Sequence, residues 1–76
     1  MWHLQKYDGK TDELIIEKDV EDKEVTLGAI QREYEYITFE YPSKTKIVIR
    51  AWKKTVWYPL SKPMFVFVLE FKEDEA

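Results

Sequence analysis

Apolar and polar residues alternate from Trp2 to Lys6, and the alternation resumes at Leu14 and Ile16 after the turn-forming run Asp8-Gly9-Lys10-Thr11. Period-two alternation on both sides of a Gly-containing turn predicts a β-hairpin. Pairing Leu4 with Leu14 and Trp2 with Ile16 keeps the apolar side chains on one face and sets Lys6 opposite Asp12, a favourable cross-strand charge pair. After the acidic stretch 19–24 the period changes. Leu27, Ile30 and Tyr34 recur at helical spacing, which predicts a short helix over 26–34 with Asp22 or Thr26 as its N-cap. Gly28 weakens that helix by about 1 kcal/mol relative to Ala.

From Tyr34 onward the period returns to two. Ile37, Phe39 and Tyr41 fall on one side of a strand, with Tyr34, Tyr36, Thr38 and Glu40 on the other. A loop over 42–44 would align Phe39 with Ile47 and Ile37 with Ile49 on the core face. The opposite face then pairs Glu40 with Lys46, Thr38 with Val48, Tyr36 with Arg50 and Tyr34 with Trp52. Residues 53–55 read as a turn, 56–58 as a short strand, 59–63 as a loop and 64–71 as the last strand. Because the last strand is apolar on both faces as far as Leu69, it belongs in the middle of a sheet with cover on each side, or leaves one face for a partner.

These elements predict one domain over 1–76 of the α+β class, mainly an antiparallel sheet of roughly four to six strands with one short helix. An all-β arrangement is the alternative. The order of hairpin, short helix, further strands and a long apolar strand last resembles the layout of β-grasp (ubiquitin-like) domains. The chain ends in Lys72-Glu73-Asp74-Glu75-Ala76 instead of the Gly-Gly tail of conjugated modifiers, so conjugation through its C-terminus is not expected.

Composition narrows the chemistry. A chain of 76 residues sits near the lower limit for a self-sufficient core, and three Trp, five Tyr and four Phe supply much of its apolar area. With no Cys and the lone His3, neither a disulfide nor a zinc site is expected, and no cofactor is implied. His3 stands on the opposite strand face from Trp2 and Leu4 and is expected to face solvent. The isolated Gly9 and Gly28 cannot form a phosphate-cradling loop, and Asp19, Glu21 and Asp22 lack the Gly and terminal Glu of a calcium loop. Catalysis is not expected: no base stands beside a nucleophile, and the carboxylate pairs Asp12-Glu13, Glu21-Asp22 and Glu73-Asp74-Glu75 read as solvated charge. The opening residues do not form a signal sequence. The apolar run from Met64 to Leu69 is too short to span a bilayer as a helix, so a cytoplasmic protein without membrane contact is expected.

Charge then singles out one segment. Between Tyr41 and Leu69 the chain carries Lys44, Lys46, Arg50, Lys53, Lys54 and Lys62 and no acidic residue, although its formal net charge is −3. Alternation puts Lys44, Lys46, Arg50, Trp52 and Lys54 on one face around Val48, opposite Ile47, Ile49 and Ala51. Tyr34 and Tyr36 would join that face, with Trp57 close in sequence. Tyr, Trp and Arg anchors with a cationic rim are the composition of a protein interface. The expected role is a small non-enzymatic binding module of the inhibitor, antidote or accessory-subunit kind, as viral or mobile-element proteins are, docking on a larger acidic-surfaced protein. The alternative is single-stranded nucleic acid, with phosphates on the cations and bases stacked on the rings. Charge pairs within the sheet would neutralise the face instead. A homodimer through the strand from Met64 to Leu69 would also help so small a core.

Overall fold

The computed structural model describes residues 1–53 and 62–73. Strands β1 (Trp2–Asp8) and β2 (Leu14–Val20) precede helix α1 (Lys23–Glu33), and β3 (Tyr36–Ser43), β4 (Lys46–Trp52) and β5 (Phe65–Phe71) follow. They form one five-stranded sheet in the order β2-β1-β5-β4-β3, and every neighbouring pair is antiparallel. The strand expected at 56–58 lies outside the described residues. The last strand is central, as its apolar faces require. It runs antiparallel to β1, whereas ubiquitin-like sheets hold their first and last strands side by side and parallel, so the resemblance stops at element order.

The hairpin registers differ from those expected, in β3–β4 and from Ile16 to Val20 of β2 by an even number of residues. In β1–β2, Trp2 opposes Val20 and Leu4 opposes Lys18, because β2 continues through its charged half to Val20. The connecting loop is correspondingly longer and is held by Asp8, whose Oδ1 accepts the backbone N–H groups of Lys10 and Thr11 at 2.8 and 3.1 Å. Those donors, Lys10 first, hold the Asp8 carboxyl below its ordinary range. In β3–β4, Ile37 opposes Ala51 and Phe39 opposes Ile49, with a bulge between Glu40 and Ser43 that absorbs Tyr41 and Pro42. Pro cannot donate to the ladder, and the edge strand is where a bulge around it is tolerated. An even shift leaves a side chain on its expected face, except at Leu14, which a bulge at Ile15 sets opposite Tyr7 on the other face.

Helix α1 begins where Asp22 accepts the N–H groups of Glu24 and Val25 at 2.9 and 3.3 Å, so Asp22 is the N-cap and the helix starts earlier than expected. Glu24 in the first turn and Arg32 in the last complement the helix dipole. The helix covers one face of the sheet. Ile30 and Tyr34 close over Leu4, Ile47, Ile49, Ala51, Phe67 and Leu69, and Ile49 and Leu69 are wholly buried at 0 % exposure. Burying side chains of this size stabilises by about 1.5–3 kcal/mol each.

Tyr34 corrects an expectation. It is the C-cap of α1, its N–H bonded to the Ile30 carbonyl, and it packs edge-on against Phe65 at 5.9 Å between ring centroids. Helical spacing from Ile30, not strand alternation from Tyr36, governs where it points, so it belongs to the core and not to the basic face. Burial accordingly pushes its phenol pKa up, with Glu33 adding to the effect.

Candidate functional site

The face of the sheet turned away from α1 can be read row by row from the registers. One row carries Asp19, His3, Glu70 and Lys46 on β2, β1, β5 and β4. The next carries Glu17, Gln5, Val68 and Val48, with Glu40 on β3 completing it. A third brings Tyr7, Val66, Arg50 and Thr38 together. The face is thus acidic along β2, apolar at its centre and basic on β4. Val48, Val66 and Val68 are half-buried.

A depression of about 540 Å³ opens over β5, lined by Tyr7, Lys46, Arg50, Lys62, Val66 and Val68, with one carboxylate, Asp12, at its edge. Lys62 reaches it from the segment before β5, where Gly9 lets two loops meet. A Cβ on Gly9 would lie 1.8 Å from the Pro63 carbonyl oxygen, and the Gly9 N–H bonds the Met64 carbonyl at 2.9 Å. Tyr7 donates its hydroxyl to Gln5 Oε1 at 2.9 Å. Three cations around an apolar floor can hold carboxylate or phosphate oxygens while the valines bury an aliphatic or aromatic group.

Arg50 forms an ion pair with Glu40. Its guanidinium, by hydrogen bond and then by charge, holds the Glu40 carboxyl below its ordinary range. Glu40 was expected opposite Lys46. The bulge places it opposite Val48 instead, one step from Arg50.

Of the anticipated docking residues, Lys46 and Arg50 lie together on this face and border the depression. Tyr36 is on the same face and 39 % exposed. Trp52 corrects a second expectation: it stands opposite Tyr36 on the outer face but is only 5 % exposed. Alternation fixes the side to which an indole points and not what else covers it, and so large an apolar ring is withdrawn from water wherever neighbours permit. Ile47, Ile49 and Ala51 are buried on the helix side, as alternation requires. Lys54 and Trp57 lie outside the described residues.

His3 holds the contact that linear spacing does not reveal. It is on the outer face, yet its side chain is only 15 % exposed. Nδ1 lies 2.9 Å from Asp19 Oδ1 and Nε2 lies 3.0 Å from Glu17 Oε1. Both partners are acceptors when ionised, so both ring nitrogens must donate, and the imidazolium is the form this geometry fits. The Asp19 bond foremost, and the Glu17 bond after it, raise the His3 pKa against desolvation and the nearby Lys72. Among the described residues no group of three or more His, Asp or Glu side chains is placed to hold a metal ion, and no helix is long and apolar enough to cross a membrane. No protein-family model, curated protein or solved structure matches the chain.

Proposed function

We propose that the protein is a small non-enzymatic α+β binding module that docks its outer sheet face on an acidic surface of a larger protein. The observation that carries this reading is the depression on that face, where Lys46, Arg50 and Lys62 surround Val66 and Val68. Cations at the rim steer an acidic partner and make association salt-sensitive, while the valines and Tyr7 supply the area that becomes dry on contact. The inhibitor, antidote or accessory-subunit role fits a module of this size. With Tyr34 in the core and Trp52 withdrawn, Tyr36 is the one described ring of the anticipated set left on the surface, which favours a protein over a single strand. A second copy cannot pair with the edges of β5, because β1 and β4 occupy both. Only its Val66 and Val68 face remains for a homodimer.

The test compares the protein with a Lys46→Glu/Lys62→Glu variant on two probes. Capture from lysate at several salt concentrations should yield a protein bound by the parent and lost from the variant. Tryptophan fluorescence should be indifferent to a single-stranded thymidine oligonucleotide. Quenching by the oligonucleotide with a steep negative salt slope, or a partner retained by the variant, would refute the reading.

A further inference from the structure

A second surface lies at the opposite margin of the molecule. Strand β2 pairs with β1, and no described strand lies beyond it. Such an edge presents backbone N–H and C=O groups that an added strand can use, and natural sheets blunt it with Pro, bulges or charge. Here β2 contains no Pro, and beside the slip in its register at Ile15 and the charges of Glu17, Lys18 and Asp19 it exposes Leu14, Ile15 and Ile16, at 47, 46 and 43 %. Helix α1 runs beside this edge without covering it. Val25 is 64 % exposed, and a groove of about 300 Å³ separates Val25 and Ala29 from Ile16 and Val20, with Leu4 and Phe67 beneath.

Two cations, Lys6 and Lys18, and one acid, Glu33, line the groove. The Lys6 ammonium rests 4.1 Å above the Phe65 ring. Neither lysine forms an ion pair among the described residues. An edge strand, an adjoining helix and an apolar trough between them are the parts used when a domain accepts an extended peptide as an added strand.

We propose that β2 and α1 form a receptor for an extended segment of another protein, which pairs with the outer edge of β2 and sets an acidic side chain against Lys18. The register specifies the rest of its chemistry. Ile16, Lys18 and Val20 point to the helix side, across from Lys6, Leu4 and Trp2, while Glu17 and Asp19 point to the other side. A strand laid antiparallel meets Val20, Asp19, Lys18, Glu17 and Ile16 in turn, so its complement reads apolar, basic, acidic, basic, apolar. A second copy does not supply this pattern. Pairing β2 with itself about Glu17 or Lys18 stacks like charges, pairing about Ile16 sets Leu14 against Lys18, and pairing about Ile15 matches Leu14 with Ile16 but sets Glu13 against Glu17. This site shares Glu17 and Asp19 with the outer face but no residue that lines the depression, so either can fail without the other.

The test uses fluorescence anisotropy with a labelled peptide Ser-Val-Lys-Glu-Lys-Val-Thr and its charge-inverted counterpart Ser-Val-Glu-Lys-Glu-Val-Thr. The first should bind roughly tenfold more tightly, the scale of a few cross-strand charge pairs gained against lost. Lys18→Glu, which leaves Glu17 and Asp19 in place, should cut that preference to about twofold. Val25→Arg, at an exposed helix position, should weaken binding of the first peptide while circular dichroism stays unchanged. Equal affinity for the two peptides, no binding of either, or a preference undiminished by Lys18→Glu would overturn the proposal. Concentration-dependent dimerisation abolished by Ile15→Lys would overturn it in favour of a second copy at this edge.

Discussion

The same substitution at the two glycines should change stability in opposite directions. In Gly28→Ala the new methyl group meets only Arg32 Nη1, at 3.7 Å, an ordinary contact with the end of a flexible side chain. Gly28 lies inside α1 and its φ is not positive, so the full helix-propensity gain of about 0.8–1.0 kcal/mol is available. For a domain of this size that raises Tm by about 4–8 °C. In Gly9→Ala the methyl group would sit 1.8 Å from the Pro63 carbonyl oxygen and 2.6 Å from its carbon. Backbone cannot swing aside as a side chain does, so the loop must retreat and stretch the bond from Gly9 N–H to the Met64 carbonyl, now 2.9 Å. Overpacking of this kind costs about 1–3 kcal/mol, and the mouth of the depression moves with it. Urea titration and thermal melting of both variants measure the pair. A neutral or destabilising Gly28→Ala would refute the open space beside Gly28. A neutral Gly9→Ala would refute the close approach that brings Lys62 to the site.

Further outcomes follow from single contacts. Ile49→Ala, at a wholly buried position, should cost about 2–5 kcal/mol by denaturant unfolding, whereas Val25→Ala, at 64 % exposure, should change stability little. The folded-state pKa of His3 is raised from 6.5, so its contribution is complete below that value and is lost as pH rises through the raised folded-state value. Melting temperature should therefore fall across that window, the decline should vanish in His3→Gln, and an imidazole titration by NMR should place the midpoint above 6.5. Glu40 and Asp8, whose pKa values are lowered, act with the opposite sign, and their contribution is lost as pH falls into the acid range. Arg50→Gln should shift Tm by no more than a few degrees, since exposed ion pairs add little, which makes that position usable for testing partner binding.

Side-chain direction was legible in the sequence where period two is unbroken. Ile47, Ile49 and Ala51 are inside, Lys46 and Arg50 are outside, and β5 is central because both its faces are apolar. Register was not legible, since cross-strand pairing depends on where a strand ends, and neither the continuation of β2 through Glu17, Lys18 and Asp19 nor the bulge at Tyr41 and Pro42 leaves a hydrophobic signal. The His3 contacts were missed for the same reason. Glu17 and Asp19 share its face only once β2 is known to run to Val20. Tyr34 fitted both a helical and a strand period, and packing on Phe65 and Phe67 decides between them. Trp52 shows the limit of alternation, which gives direction without cover.

The last strand of the sequence is the middle strand of the sheet, and this has a consequence for how the protein is made. Without Phe65–Phe71 the described strands form two separate ribbons, β1–β2 and β3–β4, each below the three strands at which a sheet becomes independently stable. A nascent chain still lacking that segment displays Leu4 on one ribbon and Ile47 and Ile49 on the other with nothing to join them. Assembly must therefore wait until translation has passed Phe71, and a premature stop before Phe65 should give insoluble material rather than a weakened protein.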